Sequence, residues 1–347
     1  MTHLSSQGLY KLHRGRPIFE SRGTSRLCPV AFLVLVVVIQ VVALAADSRV
    51  SGELQQVWLI STRSAPRYGN LDSGLEKITY QRLDERNGSA CWLLSDADVF
   101  RASGDPSIPI TVFIHGNATG SDMAVRQGWS LYSRMRDIAA GRSFRLVIWS
   151  WPADRVVRGI RADVQLKVAY SDTESYYLAR TLPSVTAGTP VSLVGYSLGC
   201  RIAGGALQLL AGGQVDGHRL SPEAIAAWTT GTPRPIRVML IAAAVDRDWL
   251  QPSGREGLAT RVVERVLVTR NSSDSALRFY SRLYGAHGPE ALGYAGPTGA
   301  GGGKLDVVDV ASQVGKQHDY EAYESAPSVN RRIGWCTFLD NHALSGD

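Results

Sequence analysis

The stretch VSLVGYSLGCRIAGGALQLL, residues 191–210, decides the fold. It starts with a short apolar run, passes through GYSLG (195–199) and continues into a segment rich in Ala, Gly and Leu. This is the pattern G-x-S-x-G in the strand–turn–helix context of a nucleophile elbow. Small residues on either side of the serine are needed because strand and helix meet closely at the turn. The pattern predicts a reactive Ser197, with a tight turn and a surface serine as the alternative.

Other short apolar runs, mostly rich in β-branched residues, flank this elbow on both sides. Nearly continuous runs of this kind are typical of strands that helices cover on both faces. Segments with apolar residues at a spacing of three to four lie between several of them, which predicts a mostly parallel, doubly wound α/β sheet. The predicted strands are VWLIST (57–62), ITYQRL (78–83), ITVFI (110–114), RLVIW (145–149), VSLVG (191–195), VMLIAAAV (238–245), RVLVT (265–269) and LDVVDV (305–310).

A second motif, His115-Gly116-Asn117, follows the strand ITVFI. In an elbow hydrolase this loop supplies one backbone N–H of the oxyanion hole, and the residue after the nucleophile supplies the other. We therefore assign the oxyanion hole to the backbone of Asn117 and Leu198. Because the loop acts through its backbone, we interpret the His115 side chain as structural.

The general base is expected after the last strand, since the chain order in elbow hydrolases is serine, acid, histidine. His318 follows the strand 305–310 by eight residues. His218 and His287 come too early in the chain, and His342 lies in a segment without clear periodicity. Position therefore favours His318, with a surface histidine as the alternative.

Two carboxylates are candidates for the acid that orients this histidine. Asp274 follows the penultimate predicted strand, which is the usual place for it, and Asp246 follows the strand before that one. Asp274 also precedes Ser-Ala-Leu, so it is equally suited to cap a helix. We favour Asp274 and keep Asp246 as the alternative acid.

Together these residues resemble the α/β-hydrolase superfamily of esterase- and lipase-like proteins, and most closely a family of largely uncharacterised bacterial α/β hydrolases. The resemblance implies the α/β-hydrolase fold and a triad of Ser197, Asp274 and His318. Gln317 departs from it, because glycine is expected before the histidine. The similar stretches are VFIHGNATG (112–120), WSWPADR (149–155), GYSLGCRIAG (195–204), LIAAAVDRDWL (240–250), DSALRFYSRLYG (274–285) and QHDYEAYESAPSV (317–329).

The charge of the chain is concentrated near its N-terminus. The net charge of the 347 residues is +6, of which residues 1–27 contribute +4 and the part from residue 46 onward only +2. An apolar run, residues 29–46, follows the basic segment and ends in Ala43-Leu44-Ala45, which suits a signal peptidase. We expect residues 1–46 to be a signal peptide or, alternatively, a membrane anchor through residues 30–46, and residues 47–347 to be one exported hydrolase domain.

The cysteines and histidines show no metal-like spacing, so no metal or organic cofactor is expected. Cys91 and Cys336 are either a disulfide of an oxidising compartment or two unrelated thiols. Cys200 begins a predicted buried helix and is interpreted as a small apolar filler. Two connectors, residues 246–260 and the glycine-rich 293–303, are candidate lids, and the second is expected to be mobile.

These observations favour a secreted or membrane-attached serine hydrolase that cleaves a small-molecule or lipid ester. An acyltransferase with the same triad, in which an alcohol replaces water, is one alternative. A catalytically silent hydrolase-fold protein that binds a partner at the cell surface is another. Nucleic acid is not an expected partner, because the exported part is nearly neutral and has no clustered basic and aromatic motif.

Overall fold

The computed structural model describes residues 55–340, except for 87–88, 284–287 and 300. These residues all belong to one compact unit, Glu53–Asp347. The apolar run at 29–46 lies outside the described residues, so export and anchoring stay predictions. Within the described part of the chain, none of the helices combines the length and the apolar character needed to cross a bilayer.

A single nine-stranded sheet carries the fold, in the order β3-β2-β1-β5-β4-β6-β7-β8-β9. The six strands from β5 across to β9 are parallel to one another and to β1, and β2 runs antiparallel to both of its neighbours, β1 and β3. The strands are β1 (Gln55–Ser61), β2 (Thr79–Arg86), β3 (Ser89–Ser95), β4 (Ile110–Ile114), β5 (Phe144–Ser150), β6 (Val191–Tyr196), β7 (Ile236–Ile241), β8 (Arg265–Arg270) and β9 (Leu305–Asp309).

Helices cover both faces of this sheet, which confirms the predicted doubly wound α/β-hydrolase fold. Helix α2 packs with α9 and α10, and α3 packs with α4. The helices are α1 (Ala97–Ala102), α2 (Ser121–Ala139), α3 (Ile160–Thr181), α4 (Leu198–Leu210), α5 (Pro222–Thr229), α6 (Ser275–Arg278), α7 (Leu292–Ala295), α8 (Ala311–Val314), α9 (Tyr320–Glu324) and α10 (Pro327–Cys336).

Central strands are almost fully buried, which explains their apolar sequences. Every residue of β4, β5 and β6 is buried. Since both faces are covered, no alternation of polar and apolar residues is required along these strands. The eight predicted strands all exist, but β3 was not predicted, because its two adjacent leucines, Leu93 and Leu94, are both exposed at the sheet edge.

The prediction for β7 was wrong at its carboxyl end, because the strand stops at Ile241 and not at Val245. Ala242 has a positive φ of 49°, which bends the chain out of the sheet. Its N–H donates to the side-chain Oγ1 of Thr269 on the adjacent strand β8 at 2.9 Å. The alanine-rich run then passes beneath the elbow, where the Ala244 N–H donates to the Ser197 carbonyl at 3.3 Å.

The glycine-rich connector 293–303 is not a loop throughout, and its mobility stays a prediction. Its first residues lie in α7, where the N–H of Leu292 donates to the Val245 carbonyl and that of Gly293 to the Ala243 carbonyl. A β-carbon on Gly293 would stand 2.4 Å from the Ala243 nitrogen. Gly293 is therefore required here for the close packing of two backbones.

Candidate active site

Ser197 lies between the end of β6 and the start of α4. Its backbone has φ 53° and ψ −116°, a conformation that costs about 1–3 kcal/mol outside glycine. The turn is held by the Ser197 N–H, which donates to the Ile241 carbonyl at 2.9 Å. A β-carbon on Gly199 would come within 2.1 Å of the Ile114 carbonyl oxygen. The second glycine of the motif therefore permits the contact between the new helix and the end of β4.

Ser197 and His318 are in direct contact, although 121 residues separate them. The serine Oγ is 3.0 Å from His318 Nε2. His318 follows α8, in the loop that leads into α9, and Tyr196 donates its hydroxyl to the His318 carbonyl. Tyr196, the residue before the nucleophile, therefore holds the loop that carries the histidine in place.

Asp274 contacts the other side of the same imidazole. His318 Nδ1 donates to Asp274 Oδ2 at 2.7 Å, and the carboxylate is fully buried. The second oxygen, Oδ1, accepts from the N–H groups of Ala276 and Leu277 at 2.8 and 2.9 Å. Asp274 therefore caps α6 and orients His318 at once, with one oxygen for each task.

The alternative acid, Asp246, is not in contact with His318. Its Oδ1 accepts the hydroxyl of Tyr280 at 2.6 Å, and its backbone bridges to Ala291. The structure thus places Asp274, and not Asp246, beside the histidine.

Two further polar residues support the carboxylate and were missed in the sequence. Tyr323 on α9 donates its hydroxyl to Asp274 Oδ2 at 2.5 Å. Asn271 in turn donates to the Tyr323 hydroxyl at 3.1 Å and to the Gly315 carbonyl at 2.9 Å. Burial and the neighbouring Asp274 charge raise the pKa of Tyr323 well above its usual value, so it stays a proton donor. The signal in the sequence that could have identified Tyr323 was its position five residues after the candidate histidine.

The predicted oxyanion hole lies beside the serine. Asn117 and Leu198 both line the pocket into which Ser197 opens. Leu198 is the first residue of α4, where a helix leaves backbone N–H groups without helical partners. Among the described residues, neither the Asn117 nor the Leu198 N–H has a protein acceptor. Both donors are therefore available to an oxygen at this position.

His115 holds this loop from beneath, as the structural interpretation predicts. It is fully buried and stacks on Trp151 with the ring planes 12° apart. Its Nδ1 donates to the Gly116 carbonyl at 2.9 Å, and its Nε2 accepts from the backbone N–H of Trp151 at 3.2 Å. Burial lowers the pKa of His115 to about 3. A neutral imidazole with the proton on Nδ1 satisfies both hydrogen bonds.

An open pocket of about 620 Å³ leads to Ser197. Most of its wall is apolar, and Arg155 is the cationic side chain on it. The wall includes residues from α3, from α6 and from the segment after α6, whereas the candidate lid 246–260 does not contribute. The residues lining it are Asn117, Ala118, Arg155, Ile160, Val164, Tyr196, Ser197, Leu198, Ala244, Ala276, Leu277, Phe279, Tyr280, Leu283 and His318.

The cysteines stand apart from this site. Cys91 is an exposed free thiol on β3, and Cys336 is a buried free thiol whose Sγ lies 3.5 Å from Ser192 Oγ. The structure therefore contains two unrelated thiols and not the Cys91–Cys336 disulfide. Cys200 is a buried filler beneath the elbow, as predicted, with its Sγ 3.2 Å from the Gly195 carbonyl. Among the described residues, no group of three or more His, Cys, Asp or Glu side chains is arranged to hold a metal ion.

Comparisons with known proteins give only distant similarities. No family model and no curated protein matches the chain. Among solved structures, an iodinated complex of acetyl xylan esterase at 1.80 Å is 14% identical, with a TM-score of 0.32, over 67% of this chain and 96% of that one. An acetylxylan esterase at 0.90 Å is 15% identical, also with a TM-score of 0.32, over 67% and 97% of the two chains. This similarity is too low to assign an activity or a substrate.

Proposed function

We propose that the protein is a serine hydrolase that cleaves a carboxylic ester through an acyl-enzyme. The observation that carries the proposal is the continuous chain from Ser197 Oγ through both nitrogens of His318 to Asp274 Oδ2, with distances of 3.0 and 2.7 Å. Nucleophile, base and orienting acid in this order are the arrangement that nucleophilic acyl transfer needs.

In the first half-reaction, the Ser197 oxygen attacks the ester carbonyl carbon while His318 Nε2 takes the hydroxyl proton. The buried Asp274 carboxylate holds the Nδ1 proton in place and stabilises the imidazolium that forms. His318 then gives its proton to the alkoxide as the ester C–O bond breaks, and the alcohol leaves. Water repeats the sequence in reverse, with His318 as base, and releases the carboxylic acid and free Ser197.

The tetrahedral intermediates of both steps carry an oxyanion. Asn117 and Leu198 line the pocket beside Ser197, and their backbone N–H groups have no protein acceptor among the described residues. Each such donor is worth about 2.7–4 kcal/mol of transition-state stabilisation in a serine hydrolase. His115 positions the Asn117 loop through its contacts with Trp151. Its Nε2 accepts from the Trp151 backbone N–H, its carbonyl accepts from the Trp151 indole N–H, and the two rings stack.

The pocket wall favours an apolar acyl or alcohol group. Val164 and Leu277 form part of that wall. Burying a CH₂ group against such residues is worth about 0.8 kcal/mol. We therefore propose that the substrate is an ester with an aliphatic chain. A series of p-nitrophenyl esters of increasing acyl length tests this, with kcat/KM expected to rise along the series.

The same series of esters also tests whether the protein hydrolyses esters through Ser197. The wild type is expected to release p-nitrophenol, and Ser197→Ala to release none above background. Ser133→Ala, an exposed serine on α2, is the matched control and should behave as the wild type. Adding a simple alcohol separates the alternatives: an acyltransferase would form a new ester in preference to the free acid, and a silent binding protein would give neither product.

We propose that this hydrolase acts outside the cytoplasm, on the strength of the basic and apolar pattern of residues 1–46. Sequencing the N-terminus of the protein recovered from its host tests this. A chain that starts at Ala46 supports cleavage after Ala45, and a chain that starts at Met1 contradicts cleavage.

A further inference from the structure

The mouth of the pocket is bordered by two segments, residues 155–161 and 278–283, which we call the rim. Four apolar side chains of the rim are turned to solvent: Val156, Val157, Ile160 and Phe279 are 63, 37, 72 and 50% exposed. Scattered exposed apolar residues are ordinary on a protein surface. A group of them around the entrance of one pocket is different and indicates a contact surface.

The rim is also strongly basic. Its sequences, RVVRGIR and RFYSRL, contain five arginines and no acidic residue. All five arginines are exposed. The chain from residue 46 onward has a net charge of only +2, so this is a local concentration of positive charge. Of the acidic residues that flank the first segment in the sequence, Asp154 is paired with Arg63 and Asp163 is buried.

The rim is held in place by the rest of the fold. Asp163 Oδ1 accepts from the N–H groups of Val156 and Val157 at 2.9 and 3.1 Å. Arg161 of the first segment donates to the Leu283 carbonyl of the second at 3.4 Å, and Gln165 on α3 donates to the same carbonyl at 3.0 Å. The apolar side chains are therefore presented to solvent by a fixed backbone, and little ordering is needed when they bind.

We infer that the rim docks the protein on an anionic lipid surface. Apolar side chains inserted at the headgroup boundary, surrounded by arginines, are the composition that binds such a surface. Charge complementarity decides against a neutral membrane, since five arginines contribute little there. Docking of this kind would bring the pocket mouth against the lipid, so that an ester enters from the bilayer. Docking itself does not depend on the proposed hydrolysis; only the delivery of a lipid ester to Ser197 rests on it.

The test uses the full chain with Ser197→Ala, so that binding is separated from turnover. An environment-sensitive fluorophore is attached at Val157→Cys in a background of Cys28→Ser and Cys91→Ser, with Cys200 and Cys336 buried and unlabelled. On vesicles of equal parts phosphatidylcholine and phosphatidylglycerol, its emission should shift to that of an apolar environment. On phosphatidylcholine alone it should not. The same label at Glu223→Cys, on α5, should not respond to either.

Removal of rim charge provides the second comparison. Arg158→Gln with Arg278→Gln should weaken the vesicle affinity about 25-fold, at about fivefold for each arginine. The matched control is Arg142→Gln with Arg219→Gln, two exposed arginines from the connections that precede β5 and β7. These connections lie at the amino edge of the parallel sheet, opposite the mouth of the pocket. The control variant should therefore change the vesicle affinity less than twofold.

Three results would overturn the inference. One is a label at position 157 that remains in water in the presence of anionic vesicles. Another is an equal loss of affinity in the rim variant and its matched control. The third is a fluorescence shift that appears without vesicles as the protein is concentrated, because a second copy of the chain would then cover the rim.

Discussion

Tyr323 donates its hydroxyl to the same Asp274 oxygen that accepts from His318, at 2.5 Å. That oxygen lies in a fully buried carboxylate, where a second donor stabilises the negative charge and fixes the rotation of the carboxyl group. Tyr323 therefore positions the acid without touching the reacting atoms. Asn271 extends the support by binding the tyrosine oxygen.

Tyr323→Phe is expected to lower kcat about tenfold or more with KM nearly unchanged, because a hydrogen bond to a buried charge is worth roughly 1.5–3 kcal/mol. Tyr320→Phe is the matched control, since Tyr320 is fully buried on the same helix and its hydroxyl has no partner among the described residues. That control should leave kcat unchanged and the melting temperature equal or higher. Equal losses in both variants would show that Tyr323 acts only in packing.

Asp274→Asn should reduce kcat/KM by about 10⁴-fold, because the amide stabilises the wrong tautomer of His318. Asparagine is also a good N-cap, so α6 and the melting temperature should change little. Asp246→Asn, assayed on the same activated ester, should retain most of the activity. The assignment of the acid is wrong if only Asp246→Asn inactivates the protein.

Filling the pocket should change which ester is preferred. Val164→Trp places a large side chain in the wall formed by α3, so kcat/KM for long acyl esters should fall while that for acetate esters is retained. Ala162→Trp, two residues earlier and exposed to solvent, is the control and should keep the wild-type order. A parallel loss on all esters would argue that the acyl chain lies elsewhere.

Glu174 should make the stability depend on pH. It is fully buried, and burial raises its pKa to about 7 although Thr62 and Trp149 donate to its Oε2 at 2.7 and 3.2 Å. Because the folded pKa exceeds the unfolded value, the contribution of Glu174 is complete below pH ~4.5 and is lost as pH rises through about 7.

Glu174→Gln removes this titration and keeps an oxygen acceptor. Relative to the wild type, the free energy of unfolding of this variant should therefore rise by roughly 3 kcal/mol between pH ~4.5 and pH ~8.5. Glu76→Gln, an exposed glutamate, should follow the wild-type curve. Denaturant unfolding at several pH values measures both, and a Glu174→Gln curve parallel to the wild type would mean that Glu174 is ionised in the folded protein.

The parts of the fold that the sequence predicts are those with a strong local signal. The elbow around Ser197 combines a strand pattern, two glycines and a helix pattern, and all three coincide in the structure. His318 and Asp274 were found from chain order, because parallel strands bring their carboxyl ends to one edge. Their mutual distances, by contrast, depend on tertiary packing that no local pattern encodes.

The features that were missed depend on contacts between distant segments. Tyr323 on α9 reaches Asp274 across 49 residues of the chain, and no pattern in the sequence pairs the two. The rim of the pocket is formed by segments more than 100 residues apart. The end of β7 at Ile241 is set by Thr269 on the adjacent strand. In each case the deciding partner lies outside the window over which periodicity is read.

The most direct test of the central claim is labelling by a fluorophosphonate probe, followed by mass-spectrometric mapping of the modified peptide. The probe phosphonylates a serine only where a neighbouring base activates it. The wild type should carry the label on Ser197, while Ser197→Ala should carry none and keep the wild-type melting temperature. A folded wild type that remains unlabelled, or a label that persists in Ser197→Ala, would contradict the assignment of Ser197 as the nucleophile.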